Sequence, residues 1–249
     1  VCSSDLQKIA RGDQNLKAIT VIEGWTLAQM RKAVDQAEGL KHESRGWSDE
    51  ALMAHLGRSG QAAEGRFFPD TYTYGKGSSD LQLYARALLA MDRQMARVWQ
   101  ARAPGLSLHT PEDALVLASI IEKETGQGQD RPMISSVFHN RLRLGMPLQT
   151  DPTVIYGLGP QFDGNLRRIH LKTDHPWNTY TRTGLPPTPI ALPGKASLMA
   201  AVQPAQSQAL YFVARGDGSS QFSNDLAAHN AAVERYQIRR SASPSAKAQ

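Results

Sequence analysis

The stretch TPEDALVLASIIEKETG, from Thr110 to Gly126, constrains the fold more than any other part of the chain. Its start carries the chemistry of helix initiation: Thr110 as N-cap, Pro111 in the first helical position, and Glu112 and Asp113 at the positive end of the dipole. Gly126 supplies a stop. The residues between are too apolar for a surface helix, so a core helix is expected. It ends on two acids, Glu122 and Glu124, separated by Lys123. At about 100° per residue, Glu124 falls on the stripe of Leu117, Ile120 and Ile121, whereas Glu122 shares a face with Leu115, Ala118 and Ser119. A carboxyl carried in on an apolar face is desolvated, and the negative end of the helix acts in the same direction. Both effects raise its pKa towards that of a general acid working near neutral pH. The competing reading is that Glu124 simply emerges into water as the helix ends.

Glu122 and Glu124 cannot cooperate across one sugar, because side chains two apart on a helix diverge by about 200°. In glycoside chemistry a single acid would then handle both proton transfers, or a carboxylate would join from elsewhere. Asp151 is the candidate for the second case, although TDPT also reads as a helix cap, which is the role favoured for it. Candidate polar groups for a carbohydrate cleft are Asn140, Gln149, Asn178, Thr179 and Tyr180. The last three lie in WNTYTRTGLPP, braced by Pro176, Pro186, Pro187 and Pro189. If Trp177 plugs the core and the segment is extended, Asn178 and Tyr180 line the cleft against Glu124. The alternative is a turn-rich loop with no such role.

The remaining pattern predicts an α+β fold without regular βαβ alternation. LKAITVIEGWT reads as a strand, Thr26 caps a helix to about Ala37, and the polar stretch 40–65 holds short helices. FFPDTYTYGKGSS reads as an aromatic loop, and a long helix from Asp80 to about Arg102 carries the stripe Leu81, Tyr84, Leu88, Met95 and Trp99. A helix from Asp130 to about Leu144, a short one from Asp151, and a proline-rich loop over 160–194 follow. KASLMAAV is a helix, ALYFVA and QFS form a hairpin around RGDGSS, and Asn224 caps a last helix to about Ile238. The expected organisation is a catalytic domain over 19–238 and a disordered tail over 239–249.

Several function classes are disfavoured. The net charge of +5 over 249 residues is dispersed, the densest basic cluster being QIRR, so no nucleic-acid stripe is present. The histidines show no ligand spacing, so no metal site is expected. Lys123 as a Schiff-base lysine for pyridoxal phosphate lacks a phosphate-cradling glycine loop, and no cofactor is expected. No apolar run reaches the roughly 18 residues of a membrane span. VCSSDL matches a translated sequencing adapter, so Val1–Leu6 reads as foreign to the protein and Cys2 with it.

LASIIEKET, SVFHNRLRLGMPLQTDPTVIYGLG, HPWNTYTRTGLPPTPIALPG, AAVQPA, LYFVA and FSNDLAAHN, in this order, resemble the endolytic murein transglycosylase family, also described as YceG-like or aminodeoxychorismate lyase-like. The resemblance runs from about Ile19 to Tyr236 and includes RFFPDTYTY. It implies cleavage of nascent peptidoglycan strands at the bond between N-acetylmuramic acid and N-acetylglucosamine, leaving 1,6-anhydro ends. It places the catalytic glutamate at Glu124; Gln149, Asn178, Tyr180, Asn140 and Glu122 are the expected substrate-binding residues, and no cofactor is needed. It also implies a cytoplasmic stub, a membrane helix and a LysM-like unit ahead of the domain, with residues 7–18 as a remnant of that unit. The implied location is the periplasmic face of the inner membrane, near peptidoglycan synthases. A non-catalytic wall-binding module is the alternative, with a pyridoxal-dependent lyase behind it.

Overall fold

The computed structural model describes residues 16–238. The expectations for 1–6, for most of 7–18 and for 239–249 lie outside the described residues. The fold is α+β, with helices dominant. Strand β1 (Lys17–Thr20) pairs antiparallel with β2 (Thr71–Tyr74), Lys17 opposite Tyr74 and Thr20 opposite Thr71. Helices α1 (Leu27–Asp35) and α2 (Asp49–His55) lie between these strands in sequence. Then come α3 (Asp80–Gln100), α4 (Pro111–Glu124), α5 (Arg131–Arg143), α6 (Asp151–Leu158) and the short α7 (Arg168–Lys172). Helix α8 (Lys195–Val202), the hairpin β3 (Tyr211–Ala214) and β4 (Ser220–Ser223), and α9 (Leu226–Val233) complete the order.

The strand β2 lies in the segment expected to be a loop. TYTY alternates exposed and buried residues, with Tyr72 and Tyr74 turned into the core. Thr and Tyr are favourable strand residues, and the period of two was hidden inside an aromatic-rich context. A second correction concerns the last helix, whose N-cap is Asp225 rather than Asn224; its carboxylate accepts from Ala228 N at 2.8 Å.

Two apolar cores meet along α3. Leu83, Tyr84, Ala87 and Leu88 pack with Met30, Leu52, Phe67 and Tyr72 in the first core. Met91 and Val98, further along the same helix, pack with Leu115, Ile120, Phe138 and Leu198 in the second. At about 1.5 Å per residue, one long helix is sufficient to serve both. The segment Ile190–Gly194 stitches the halves together. Leu192 N donates to Trp25 O at 2.7 Å and its carbonyl accepts from Gly24 N at 2.9 Å. On its other side, Ile190 N donates to Ser119 Oγ at 3.0 Å.

Helix α4 packs against α3, α5, α6 and α8. Every residue from Ala114 to Ile121 is buried as a result. Its start is as expected, with Thr110 and Asp113 forming a reciprocal capping box.

The start of α3 holds a feature not anticipated from the sequence. Asp80 is fully buried and accepts from Glu43 N at 3.1 Å, Ser44 N at 3.2 Å and Ser44 Oγ at 2.7 Å. Its carboxylate ties the 40–45 loop to the first core. Asp80→Ala leaves those three donors unpaired, so a stability loss of roughly 3 kcal/mol is expected from urea melts. A loss under about 0.5 kcal/mol would show the loop to be held by other contacts.

Candidate active site

The two glutamates that end α4 have different surroundings. Glu122 is nearly enclosed, with 6% of its side chain exposed. Its carboxylate accepts from Gly194 N at 2.9 Å and pairs with Arg131 at 3.4 Å. It therefore fastens the end of α4 to the start of α8 and to α5. Because α4 has no solvent face over most of its length, the helical wheel alone could not separate the acids. Their partners do.

Glu124 is half-buried and is the last residue of α4. Thr125 turns the backbone into an extended conformation and is itself buried. The Thr150 hydroxyl donates to Glu124 Oε1. Burial pushes the Glu124 carboxyl up to about 7; the Thr150 hydrogen bond pulls it down, and the nearby Asp151 charge pushes it up further. The group is thus divided between acid and carboxylate at neutral pH, with part of its surface open to solvent. That combination suits a proton donor which must also accept a proton later.

Thr150 owes its position to a network of hydroxyls. It is the N-cap residue of α6, but its side chain does not cap the helix, which frees the hydroxyl for Glu124. Thr150 N donates to Thr179 Oγ1 at 3.1 Å, and Thr153 Oγ1 lies 2.9 Å from the same hydroxyl. Gln149 N donates to Thr179 O at 3.0 Å. Gln149 sits at φ 52, a left-handed conformation costly for a residue with a side chain. Arg141 holds that turn: its Nη1 donates to the carbonyls of Pro147 and Leu148, both at 3.1 Å, and to Gln149 Oε1 at 3.2 Å.

Asp151 is the first residue of α6 and its carboxylate does not cap that helix, contrary to expectation. Instead it accepts from the Tyr180 hydroxyl at 2.5 Å. Burial and the neighbouring Asp151 push the Tyr180 phenol above its ordinary range, and Glu124 adds to the rise. Tyr180 therefore belongs to the same cluster as Glu124, Thr150 and Asp151. Its donor is committed to Asp151, which leaves the oxygen lone pairs to accept from a ligand.

The other expected residues sit differently. Asn178 is 1% exposed, and its amide nitrogen donates to His170 O, Leu171 O and Thr173 O at 2.7–3.2 Å. Its Oδ1 accepts from Tyr180 N at 2.9 Å. The amide thus shapes the loop that presents Tyr180. The segment turns rather than running extended, as Thr181 N and Arg182 N both donate to Asn178 O. For that reason Asn178 is buried with Thr179 instead of lining the cleft, whereas Trp177, half-exposed, still packs against the second core, and Tyr180 reaches the acid cluster as expected. Asn140 donates to Ser207 O at 2.9 Å and to Ala209 O at 3.0 Å, fastening that strand approach to α5. Gln149 is exposed beside Thr150. Lys123 is exposed, with its ammonium donating to Gly24 O at 3.2 Å. Thr150 and Arg141 were missed in the sequence, where a threonine before an Asp-Pro helix start reads only as part of a cap; Thr179 was named for the cleft, and its hydroxyl is instead spent on Thr150 N and Thr153.

The comparisons with known proteins agree with one another. A model of the YceG-like family matches residues 3–235. The endolytic murein transglycosylase of Bacillus subtilis (strain 168) is 39% identical over 175 residues, 70% of this chain and 48% of that protein. The endolytic murein transglycosylase of Streptococcus pneumoniae serotype 2 is 28% identical over 252 aligned residues, covering 89% of this chain and 45% of that protein. The chain thus spans about half the length of the curated relatives it matches. A crystal structure described as a YceG-like protein from Listeria monocytogenes superposes with a TM-score of 0.72 at 30% identity, covering 92% of this chain and 79% of that one.

Two substitutions should move the Glu124 titration in opposite directions. Asp151→Asn removes a charge that raises the pKa, so the carbon-13 carboxyl signal of Glu124 should titrate at lower pH. Thr150→Val removes the hydrogen bond that lowers it, so titration should move to higher pH. Shifts of the same sign would contradict this arrangement. Because the folded pKa lies above the unfolded value of 4.5, folding favours the protonated acid, and native stability declines as pH rises between about 4.5 and about 7. Glu124→Gln should make that part of the stability–pH profile less steep, the Glu64 carboxyl, also raised to about 7, keeping its own share of the slope. A stability difference between variant and parent that stays constant across the window would show that Glu124 carries no such shift.

Proposed function

The chain belongs to the YceG-like family, and from that premise we propose that it is an endolytic lytic transglycosylase of peptidoglycan with Glu124 as its acid and base. The observation that carries this reading is the half-buried Glu124 carboxyl at the end of α4, raised to about 7 and held by the Thr150 hydroxyl, beside an Asp151 that the Tyr180 hydroxyl engages. Such a site has one proton to give and one carboxylate to take it back.

In the first step the Glu124 carboxyl protonates the oxygen joining muramic acid C1 to the next N-acetylglucosamine. The C1–O bond breaks, its electron pair stays with the leaving oxygen, and positive charge develops at C1. In the second step the Glu124 carboxylate takes the proton of the C6 hydroxyl of the same muramic ring while that oxygen bonds to C1. The product carries a 1,6-anhydro ring, the enzyme is returned protonated, and water is not consumed. The internal nucleophile explains why one carboxyl suffices where hydrolytic glycosidases use two.

The other groups then have supporting roles. Thr150 fixes the acid, Asp151 orients the Tyr180 phenol, and Tyr180 accepts from the sugar. Gln149 offers its amide to the substrate from a turn braced by Arg141. Asn178, Asn140 and Glu122 keep the walls in place rather than touching sugar, a narrower role than the resemblance implies for them. For the whole protein, the family reading adds an N-terminal anchor, a LysM-like unit, a periplasmic location and association with peptidoglycan synthases, all as proposals.

Incubation of denuded glycan strands with the purified chain should give anhydro-muramoyl ends by mass spectrometry. Glu124→Gln should lower the rate by at least about a thousandfold, with Glu122→Gln retaining measurable turnover. Tyr180→Phe should lower it by roughly tenfold to a hundredfold, with little loss of stability. The opposite ranking of the two glutamates would sink the assignment.

A further inference from the structure

Beside Glu124 lies a cleft of about 830 Å³ that the reaction just described leaves unused. It starts one residue from each acid of the cluster, since Lys123 precedes Glu124 and Pro152 follows Asp151. One wall is aromatic and rigid. Trp177 lies against Tyr156, with ring centres 5.7 Å apart, and against His175, at 5.3 Å. The Trp177 indole nitrogen donates to Thr188 Oγ1 at 2.9 Å, which fixes the ring while leaving it half-exposed. A Cβ at Gly157 would come within 2.6 Å of His175 Nδ1, so a glycine in α6 is what lets this wall close onto the helix.

The start of α1 and Glu64 line the same cleft. The Glu64 carboxyl accepts from Leu27 N at 3.0 Å, Gly65 N at 3.2 Å and the Tyr156 hydroxyl at 3.4 Å. It is therefore held by three groups from three parts of the chain. Burial pushes it up to about 7, against the pull of those donors. In its protonated form it carries one O–H donor and no charge.

Resting on the transglycosylase reading above, we propose that this cleft is a subsite for a neutral N-acetylglucosamine ring of the same strand, stacked on Trp177 and hydrogen-bonded by Glu64. The chemistry of the walls selects that ring. Its C–H face matches a fixed indole, and its acetamido and hydroxyl groups match a single buried carboxyl. Anionic parts of the polymer match poorly. Among the described residues lining the cleft, Lys123 is the one Lys or Arg, and its ammonium already donates to Gly24 O. Asp49 is paired with Arg31 at 2.5 Å, so the lining side chains offer no unengaged cation to the muramic lactyl carboxylate or the stem peptide. Occupation of this site beside the acid would hold the strand across Glu124 in one register, so the bond cut lies at a fixed distance from an N-acetylglucosamine unit.

The test uses Glu124→Gln in the full chain, which separates binding from turnover, and the N-acetylglucosamine trimer as probe. Calorimetry should show saturable binding, and tryptophan fluorescence should change with it. Added to that background, Trp177→Phe should remove most of the fluorescence response and weaken binding by roughly threefold to tenfold. Ile155→Trp fills the cleft from α6 and should weaken binding at least about tenfold. Free stem peptide should not displace the trimer. No binding of the trimer, equal affinity in the two cleft variants, or displacement by stem peptide would each overturn the proposal. If Ile155→Trp melts early, the Trp177→Phe arm decides alone. Anhydro ends made by the parent chain from denuded strands are scored in parallel. Anhydro ends without a cleft effect overturn the subsite only, and trimer binding without anhydro ends overturns the transglycosylase reading instead.

Discussion

Helix α4 has no solvent-facing side between Ala114 and Ile121, and this burial governs the acids at its end. A helix surrounded by α3, α5, α6 and α8 must deliver its last turn into protein rather than water. Two carboxyls arriving there need partners. Glu122 receives a backbone N–H and an arginine. Glu124 receives one hydroxyl, too little to offset its desolvation, and so its pKa rises to about 7. The contrast between a fully served acid and an underserved one, two residues apart, is what creates a proton-transfer group.

The remaining parts of the site follow from what must be held against that helix end. The Asp-Pro start of α6 brings Thr150 to the carboxyl, and the left-handed Gln149, braced by Arg141, sets the approach of the chain. Thr179 binds the backbone on both sides of the junction and so joins the proline-rich loop to α6. The same loop brings the Tyr180 hydroxyl to Asp151 and Trp177 to the lining of the cleft. Asn178, between them, spends its whole amide on keeping that turn. Proline bracing reduces the entropy lost in ordering so long an irregular segment.

Much of this was legible in the residues, and the parts that were not share a cause. The capping of α4 and its burial follow from local chemistry: Thr110, Pro111 and an apolar run; the distinction between Glu124 and Glu122 comes from the partners each acid finds in the fold. Tyr180 near the acid was reached by composition and by resemblance, and its link to Asp151 gives it a place in the cluster. The errors arose where long-range packing decides direction. TYTY became a strand because β1, about fifty residues earlier, offers it a partner. Trp177 faces the cleft because the backbone turns at Asn178, which no single-residue preference foretells. Glu64 and Asp80 gave no sign at all, since the backbone donors that hold them come from Leu27 in one case and from Glu43 and Ser44 in the other.

The central claim is that one carboxyl performs both proton transfers because the nucleophile belongs to the substrate. Digestion of glycan strands in water enriched in heavy oxygen addresses it directly. The account predicts new muramoyl ends at the anhydro mass with no heavy oxygen at C1. Reducing ends carrying one heavy oxygen at C1 as the primary product would mean that water is the nucleophile, and would contradict it.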